Sequence, residues 1–167
     1  WLDRFGMEET ALLCDAVNTI PPLTVRCNTL KTRRKTLLKH LEKDVEKVGC
    51  TGYAPDGVFF FHPKTPIPEM KAFEDGLFQV QDEAAQLVSL LLDPKPGETV
   101  LDACAGLGGK TGHIAQLMKN KGAVVALDVD GGKLSQLETE MQRLGISIVS
   151  TCCLDLEHGL PQMPRKG

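Results

Sequence analysis

Thr99 to Gly112, TVLDACAGLGGKTG, leaves this chain few choices of fold. Thr99 to Ala103 is a short apolar run with an acid near its end, the pattern of a buried strand that carries one carboxylate at its carboxyl terminus. Gly106, Gly108 and Gly109 follow at once and remove three side chains from a turn, so that backbone N–H groups can approach a ligand. Lys110 to Met118 then reads as a helix. Strand, glycine turn and helix in this order predict a nucleotide or cofactor cradle at the end of a parallel strand.

Two phosphate-binding patterns can be tested against the cradle. Gly109, Lys110 and Thr111 match the last three positions of G-x-x-x-x-G-K-[ST], but the first glycine is replaced by Cys104, whose side chain would crowd the bend. The dinucleotide pattern G-x-G-x-x-G puts Thr111 where its third glycine belongs. The arrangement that does fit is Asp102 at the strand end followed by small residues at alternate positions, Cys104, Gly106 and Gly108. This is the cofactor loop of Rossmann-like methyltransferases that use S-adenosylmethionine.

DACAGLGGKT resembles the D-x-C-A-A-P-G-G-K-T loop of the Sun/Fmu-type ribosomal RNA (cytosine-5) methyltransferases. PPLTVRCNTLK at Pro21 to Lys31 resembles that family's P-P-x-x-x-R-x-N-x-L-K signature. GLFQVQDEAAQL at Gly76 to Leu87 resembles the segment before its methyltransferase sheet, and VVALDVD at Val124 to Asp130 its second cofactor motif. Four motifs in family order cover nearly the whole chain; Gly106 and Leu107 depart from the usual Ala-Pro. The resemblance implies an α/β fold: the first, parallel-sheet half of a methyltransferase domain over residues 81–167, preceded by a small α+β unit like an RNA-recognition motif over 21–80 and a helical segment over 1–20. It also implies S-adenosylmethionine as cofactor and ribosomal RNA of the small subunit as substrate.

The residues expected at the cofactor are Cys104, Ala105, Gly106, Leu107, Gly108, Gly109 and Lys110 of the loop, Asp128 and Asp155. Asp128 ends the second strand, 26 residues after Asp102, where an acid can accept hydrogen bonds from ribose hydroxyls; it could instead cap the helix that follows. Asp155 follows the third strand, and the resemblance implies contact with the adenine end of the cofactor there; a plain turn is the alternative. Lys110 is expected to point at the methionine carboxylate or at RNA, because a lysine beside the cationic sulfonium would be unfavourable. Lys133 stands where the family usually has arginine.

The net charge of −3 excludes a uniformly basic nucleic-acid binder, yet Arg26 to Lys47 holds eight Lys or Arg against three acids. Arg26, Lys31, Arg33, Arg34 and Lys35 are expected to meet RNA phosphate. Six cysteines without C-x-x-C spacing argue for reduced, mostly buried thiols and against zinc, and the absence of a membrane span or signal pattern predicts a cytoplasmic protein.

Earlier in the chain, Glu8 to Val17 reads as a helix and Leu23 to Cys27 as a strand. Leu37, Leu38, Leu41, Val45 and Val48 predict a helix from a Thr32 cap to Gly49. Val58 to Phe61 and Leu77 to Val80 read as strands, with the aromatic run Phe59-Phe60-Phe61 packing into cores rather than stacking on bases. A helix over Asp82 to Leu92 should bury Leu87, Leu90 and Leu91. Thereafter strands at Thr99–Ala103, Ala123–Asp128 and Ile146–Cys153 alternate with helices at Lys110–Met118 and Lys133–Leu144, which implies a parallel sheet.

Carbon-5 of cytosine is too electron-poor to attack a methyl donor unaided, so a thiolate must first add to carbon-6. The resemblance places that cysteine and a partner in an Asp-Ala-Pro-Cys and a Thr-Cys-Ser string; neither occurs in this sequence. Catalysis is therefore assigned to none of the six cysteines. The chain, opening on Trp1 and ending in PQMPRKG, reads as a piece of a longer enzyme, inactive alone and prone to self-association through the unpaired edge of its first parallel strand. A P-loop NTPase and a non-catalytic RNA-binding or assembly factor are the alternatives.

Overall fold

A computed structural model describes residues 1–158 of the chain. The expected PQMPRKG tail lies outside the described residues. Strand β1 (Leu23–Cys27), helix α2 (Arg34–Leu41), strands β2 (Val45–Cys50) and β3 (Gly57–Pro63), the short helix α3 (Lys71–Glu74) and strand β4 (Phe78–Val80) form the first unit. Its strands pair antiparallel in the order β2-β3-β1-β4, the ferredoxin-like arrangement of a β-α-β-β-α-β chain. Alternation on β1 sends Val25 and Cys27 inward, where they meet Val58, Phe60 and Phe78 from the sheet and Leu37 and Leu41 from α2.

Two expectations change here. The helix predicted to reach Val48 stops at Leu41, and Val45 to Cys50 is a strand. Leu37, Leu41, Val45 and Val48 suit a helical stripe, but after the turn at 42–44 Val48 pairs with Phe60 and Cys50 with Val58, which buries the same valines and completes the backbone ladder. The aromatic run divides. Phe60 is fully buried, while Phe59 and Phe61 lie half-buried on the opposite face, edge to face at 6.0 Å, with the Lys47 ammonium 5.6 Å from the Phe61 ring.

Helix α4 (Glu83–Leu92) leads into the second unit, β5 (Thr99–Asp102), α5 (Gly109–Leu117), β6 (Ala123–Asp128), α6 (Gly131–Leu144) and β7 (Val149–Cys153). These three strands are parallel, in the order β5-β6-β7, and their core joins Val124 and Ala126 to Ile114, Ala115, Met118, Leu134, Leu137 and Met141 of the helices. The third strand begins at Val149 rather than Ile146, because Ile146 is drawn under α6 into that core. Among the described residues β5 pairs only with β6, so its outer edge is open. The apolar face expected of α4 is turned: Gln86 and Ser89 are buried, whereas Val88, Leu91 and Leu92 remain exposed, Leu91 at 85%.

Helix α1 (Leu2–Val17) is longer than predicted and breaks at Gly6, whose φ of 75° interrupts the helical backbone. It buries none of its residues. No helix among the described residues is long and apolar enough to cross a membrane. The six cysteines are unpaired, but only Cys27 is buried, a correction to the expectation of mostly buried thiols: Cys14, Cys50, Cys104 and Cys153 are exposed.

Candidate cofactor site and the seam behind it

At the carboxyl end of β6 the Asp128 carboxylate accepts two backbone N–H bonds, from Asp130 at 3.0 Å and from Gly106 at 2.9 Å. These bonds, the Asp130 one first, hold its pKa below the usual carboxylate range, so the group is ionised at neutral pH. The helix-capping role is taken by Asp130 instead, whose side chain accepts from the N–H groups of Gly132 at 2.9 Å and Lys133 at 3.2 Å. Asp128 is thereby left at the strand end beside the loop.

Cys104, Asp128 and Asp155 line one cleft of about 230 Å³, together with Ala103, Val129, Leu154, Leu156 and Glu157. The structure thus brings together three of the positions singled out for the cofactor. Asp155 also serves its own turn, its carboxylate accepting the Glu157 N–H at 2.9 Å. The loop is pinned at its start by the Ala105 N–H to the Leu127 carbonyl, 2.8 Å.

Its glycines do different things. Gly106 has φ 53° and open space where a Cβ would stand, which suits a backbone approached by a ligand. Gly108 has φ 84°, and a Cβ there would lie 2.6 Å from Leu137; α6 packing demands this glycine, not the ligand approach that its spacing suggests. Gly109 opens α5, and Leu107 stands exposed at the loop tip. Lys110 lines a separate hollow beside the open edge of β5, with Val88, Leu91, Leu101 and Asp102. Thr111 is buried, and its hydroxyl donates to Asp102 at 2.7 Å.

Two of the five RNA-contact expectations need correction. Arg26 is 1% exposed, and its guanidinium donates to Gln81, to Gln79 at 2.6 Å, to the Gly109 carbonyl at 2.9 Å and to Gln116 at 3.4 Å. Its donors are consumed inside the protein and do not reach phosphate. Lys31 is exposed, but its ammonium binds the carbonyls of Arg143 at 2.6 Å and Asp75 at 2.9 Å, capping the carboxyl end of α6 where the helix dipole favours a cation. Arg33 and Lys35 are exposed at the start of α2, and Arg34, half-buried, reaches the Ala54 carbonyl at 3.4 Å.

The signature R-x-N-x-L-K is therefore a seam between the two units. Asn28, which the sequence reading passed over, bridges the carbonyls of Gly76 and Leu144, both at 2.8 Å, and Leu30 packs against the core of the second unit. Across the same seam Arg143 of α6 donates to the Phe78 carbonyl at 3.0 Å and lies over the Phe73 ring at 3.7 Å. The signal that could have found this seam is an arginine and an asparagine two apart in and after a strand whose other face is wholly apolar.

A parallel β-α-β-α-β sheet with a glycine loop at its first crossover and a strand-end acid at its second, behind a ferredoxin-like unit, defines the first half of a Rossmann-like methyltransferase. The comparisons agree. The model of the 16S rRNA methyltransferase RsmB/F matches residues 89–164, and that of the RsmF/B-like ferredoxin-like domain matches residues 1–66. The chain belongs to the RsmB/F methyltransferase family. It is 39% identical over 156 residues to the "Probable ribosomal RNA small subunit methyltransferase B" of Bacillus subtilis, covering 93% of this chain and 34% of that protein. It is 31% identical over 147 residues to the human 28S rRNA (cytosine(4447)-C(5))-methyltransferase, covering 87% and 18%. Among solved structures, a methyltransferase homolog protein from Pyrococcus horikoshii matches with a TM-score of 0.82 at 32% identity, over 92% of this chain and 50% of that one. The chain spans about a third of the length of the first of these relatives.

Proposed function

We propose that this chain carries the cofactor site and part of the RNA surface of an S-adenosylmethionine-dependent ribosomal RNA (cytosine-5) methyltransferase. The observation that carries the reading is the cleft shared by Cys104, Asp128 and Asp155, with an ionised strand-end carboxylate bonded to the backbone of an open glycine loop. The residues present fit the cofactor. Asp128 keeps lone pairs for two ribose hydroxyls, Gly106 leaves room for close backbone approach, and the Asp155 end of the cleft is the place for the adenine. Bound there, S-adenosylmethionine supplies an electrophilic methyl group. The relatives named for rRNA and for cytosine C5 support the substrate.

Ribosomal RNA would meet Arg33, Arg34 and Lys35 at the start of α2. Lys110, beside the edge of β5 rather than in the cleft, belongs with RNA and not with the methionine carboxylate. The two cysteine strings of the family are absent from these residues, so the isolated chain binds but does not methylate. A P-loop is disfavoured by Thr111, whose buried hydroxyl is committed to Asp102 where a P-loop directs it to magnesium. The test is isothermal titration of S-adenosylmethionine and, separately, ATP. Heat from S-adenosylmethionine that vanishes in Asp128→Ala is the expected result, and heat from ATP alone would overturn the reading.

A further inference from the structure

Arg26 is buried without a carboxylate in ion-pair distance among the described residues. Asp56 and Glu140 act on it only from farther away, and burial pushes the guanidinium pKa down to about 9, which leaves it charged at neutral pH. An unpaired buried cation is costly, so its donors must be well used. They are spread over three glutamine side chains and one backbone carbonyl, and that carbonyl belongs to Gly109, the first residue of α5 and the last of the cofactor loop.

The surroundings are shaped for this contact. Gln79 and Gln81 come from β4 and the residue after it, on the same sheet as Arg26, and aim their oxygens at the guanidinium. Gln116, about two turns along α5, accepts from Nε and donates in turn to Asp56 at 3.3 Å. A Cβ at Gly112 would stand 3.4 Å from the arginine and 3.0 Å from the Gln79 oxygen, so α5 presents a bare backbone to the fork. Only a planar, multiply donating group can reach these oxygens together; a lysine ammonium is a point on a flexible stem.

Between these anchors Gly108 packs against Leu137, and the loop closes on itself, the Gly108 N–H donating to the Ala105 carbonyl at 2.9 Å. Its start is tied to Leu127 and its middle to Asp128, both within the second unit. Its end is tied, through Arg26, to the ferredoxin-like unit.

We propose that Arg26 is a positioning residue: it holds the Gly106 to Gly109 backbone in the form that the cofactor cleft needs, and so makes cofactor affinity depend on the docked ferredoxin-like unit. This rests on the cofactor reading above for its consequence, but its structural content can be measured without any ligand. A seam that merely joins two units would be served equally by Lys31 and Asn28, which grip the far end of α6.

The experiment is amide hydrogen exchange on the ligand-free 167-residue chain and its Arg26→Met, Arg26→Lys and Lys31→Met variants, followed by titration of S-adenosylmethionine. Both Arg26 variants should speed exchange across 105–112 on the order of tenfold, the weight of one charge-assisted hydrogen bond, with α6 unchanged. Lys31→Met should loosen the end of α6 and leave the loop alone. The cofactor Kd should rise by a similar factor in the Arg26 variants only. Equal loosening of loop and α6 in every variant would reduce Arg26 to adhesive and overturn the proposal, as would an unchanged loop in Arg26→Lys. Should Arg26→Met fail to fold, Arg26→Lys, which keeps charge and stem, still reads the loop. A wild-type chain that gives no heat with S-adenosylmethionine would overturn the proposed function while the exchange result stands by itself.

Discussion

The two sheets of this protein are built to different degrees of closure. In the ferredoxin-like unit β1 is central, its inward residues Val25 and Cys27 fully buried between α2 and neighbouring strands, and its outward Arg26 sealed by the second unit. In the parallel sheet β5 is also the strand that carries the key loop, yet among the described residues it pairs on one side only, and Leu101 is 38% exposed. The first unit is thus complete in its own strands, while the second uses its most functional strand as an edge. The difference does not come from sequence distance: β1 finds both neighbours within its own unit, Val25 pairing with Val58 on β3 and with Val80 on β4, whereas among the described residues β5 has a partner in β6 alone.

The largest effect that tests this contrast is a pair of truncations. Phe60→Ala should cost about 3–5 kcal/mol, the range for emptying a full aromatic site, and Leu101→Ala less than about 1 kcal/mol, read from urea midpoints. Similar costs at both would show that β5 is covered in solution.

A second test sits on the seam. His113 of α5 is 1% exposed, and burial, helped by the charge of Arg26, pushes its pKa down to about 3. Between that value and the 6.5 of an unfolded histidine, the unfolded chain takes a proton that the folded one refuses. Stability should therefore rise with pH through this window, by up to about 1.4 kcal/mol per unit, and level off above it. His113→Leu should flatten that slope between pH 5 and 7 on the order of one proton's worth. An unchanged slope would place the ring in water and open the seam.

The smallest effect concerns the open edge. Exposed Val88, Leu91, Leu92 and Leu101 along the open edge of β5 predict concentration-dependent association in sedimentation, and Leu101→Lys should weaken it without lowering the urea midpoint. A monodisperse monomer at all concentrations would break the comparison at its open side.

Much of the parallel half was legible from residues alone. Ala123–Asp128 is observed at the bounds the pattern predicts, and the helices before and after it shift by no more than two residues, because strands buried on both faces must be continuous apolar runs and the glycine turns mark their ends. The cradle was legible for the same reason, since its chemistry lies in one contiguous stretch. Val45 to Cys50 was not. Two valines three apart share one face of a helix and fall on opposite faces of a strand, so the local spacing argues for the helix, and the partner that decides otherwise is Phe60, distant in sequence. Nor was the role of Arg26 and Lys31. A cluster of cations looks like a surface for phosphate until their acceptors, carbonyls of Gly109 and Arg143 some 80 and 110 residues on, are in place.

The sequence by itself determined the order of elements in the parallel half, the loop with its acids at 102 and 128, and the family whose motifs these are. Periodicity and glycine placement act through neighbouring residues, so they can be read in a line. Only the tertiary structure decided which charges face water and which join the two units, that Asp130 rather than Asp128 caps α6, and that Gly108 yields to Leu137. Those outcomes depend on which atoms lie opposite one another across the seam, and hydrogen bonds and packing are satisfied there by residues that the chain brings together only on folding.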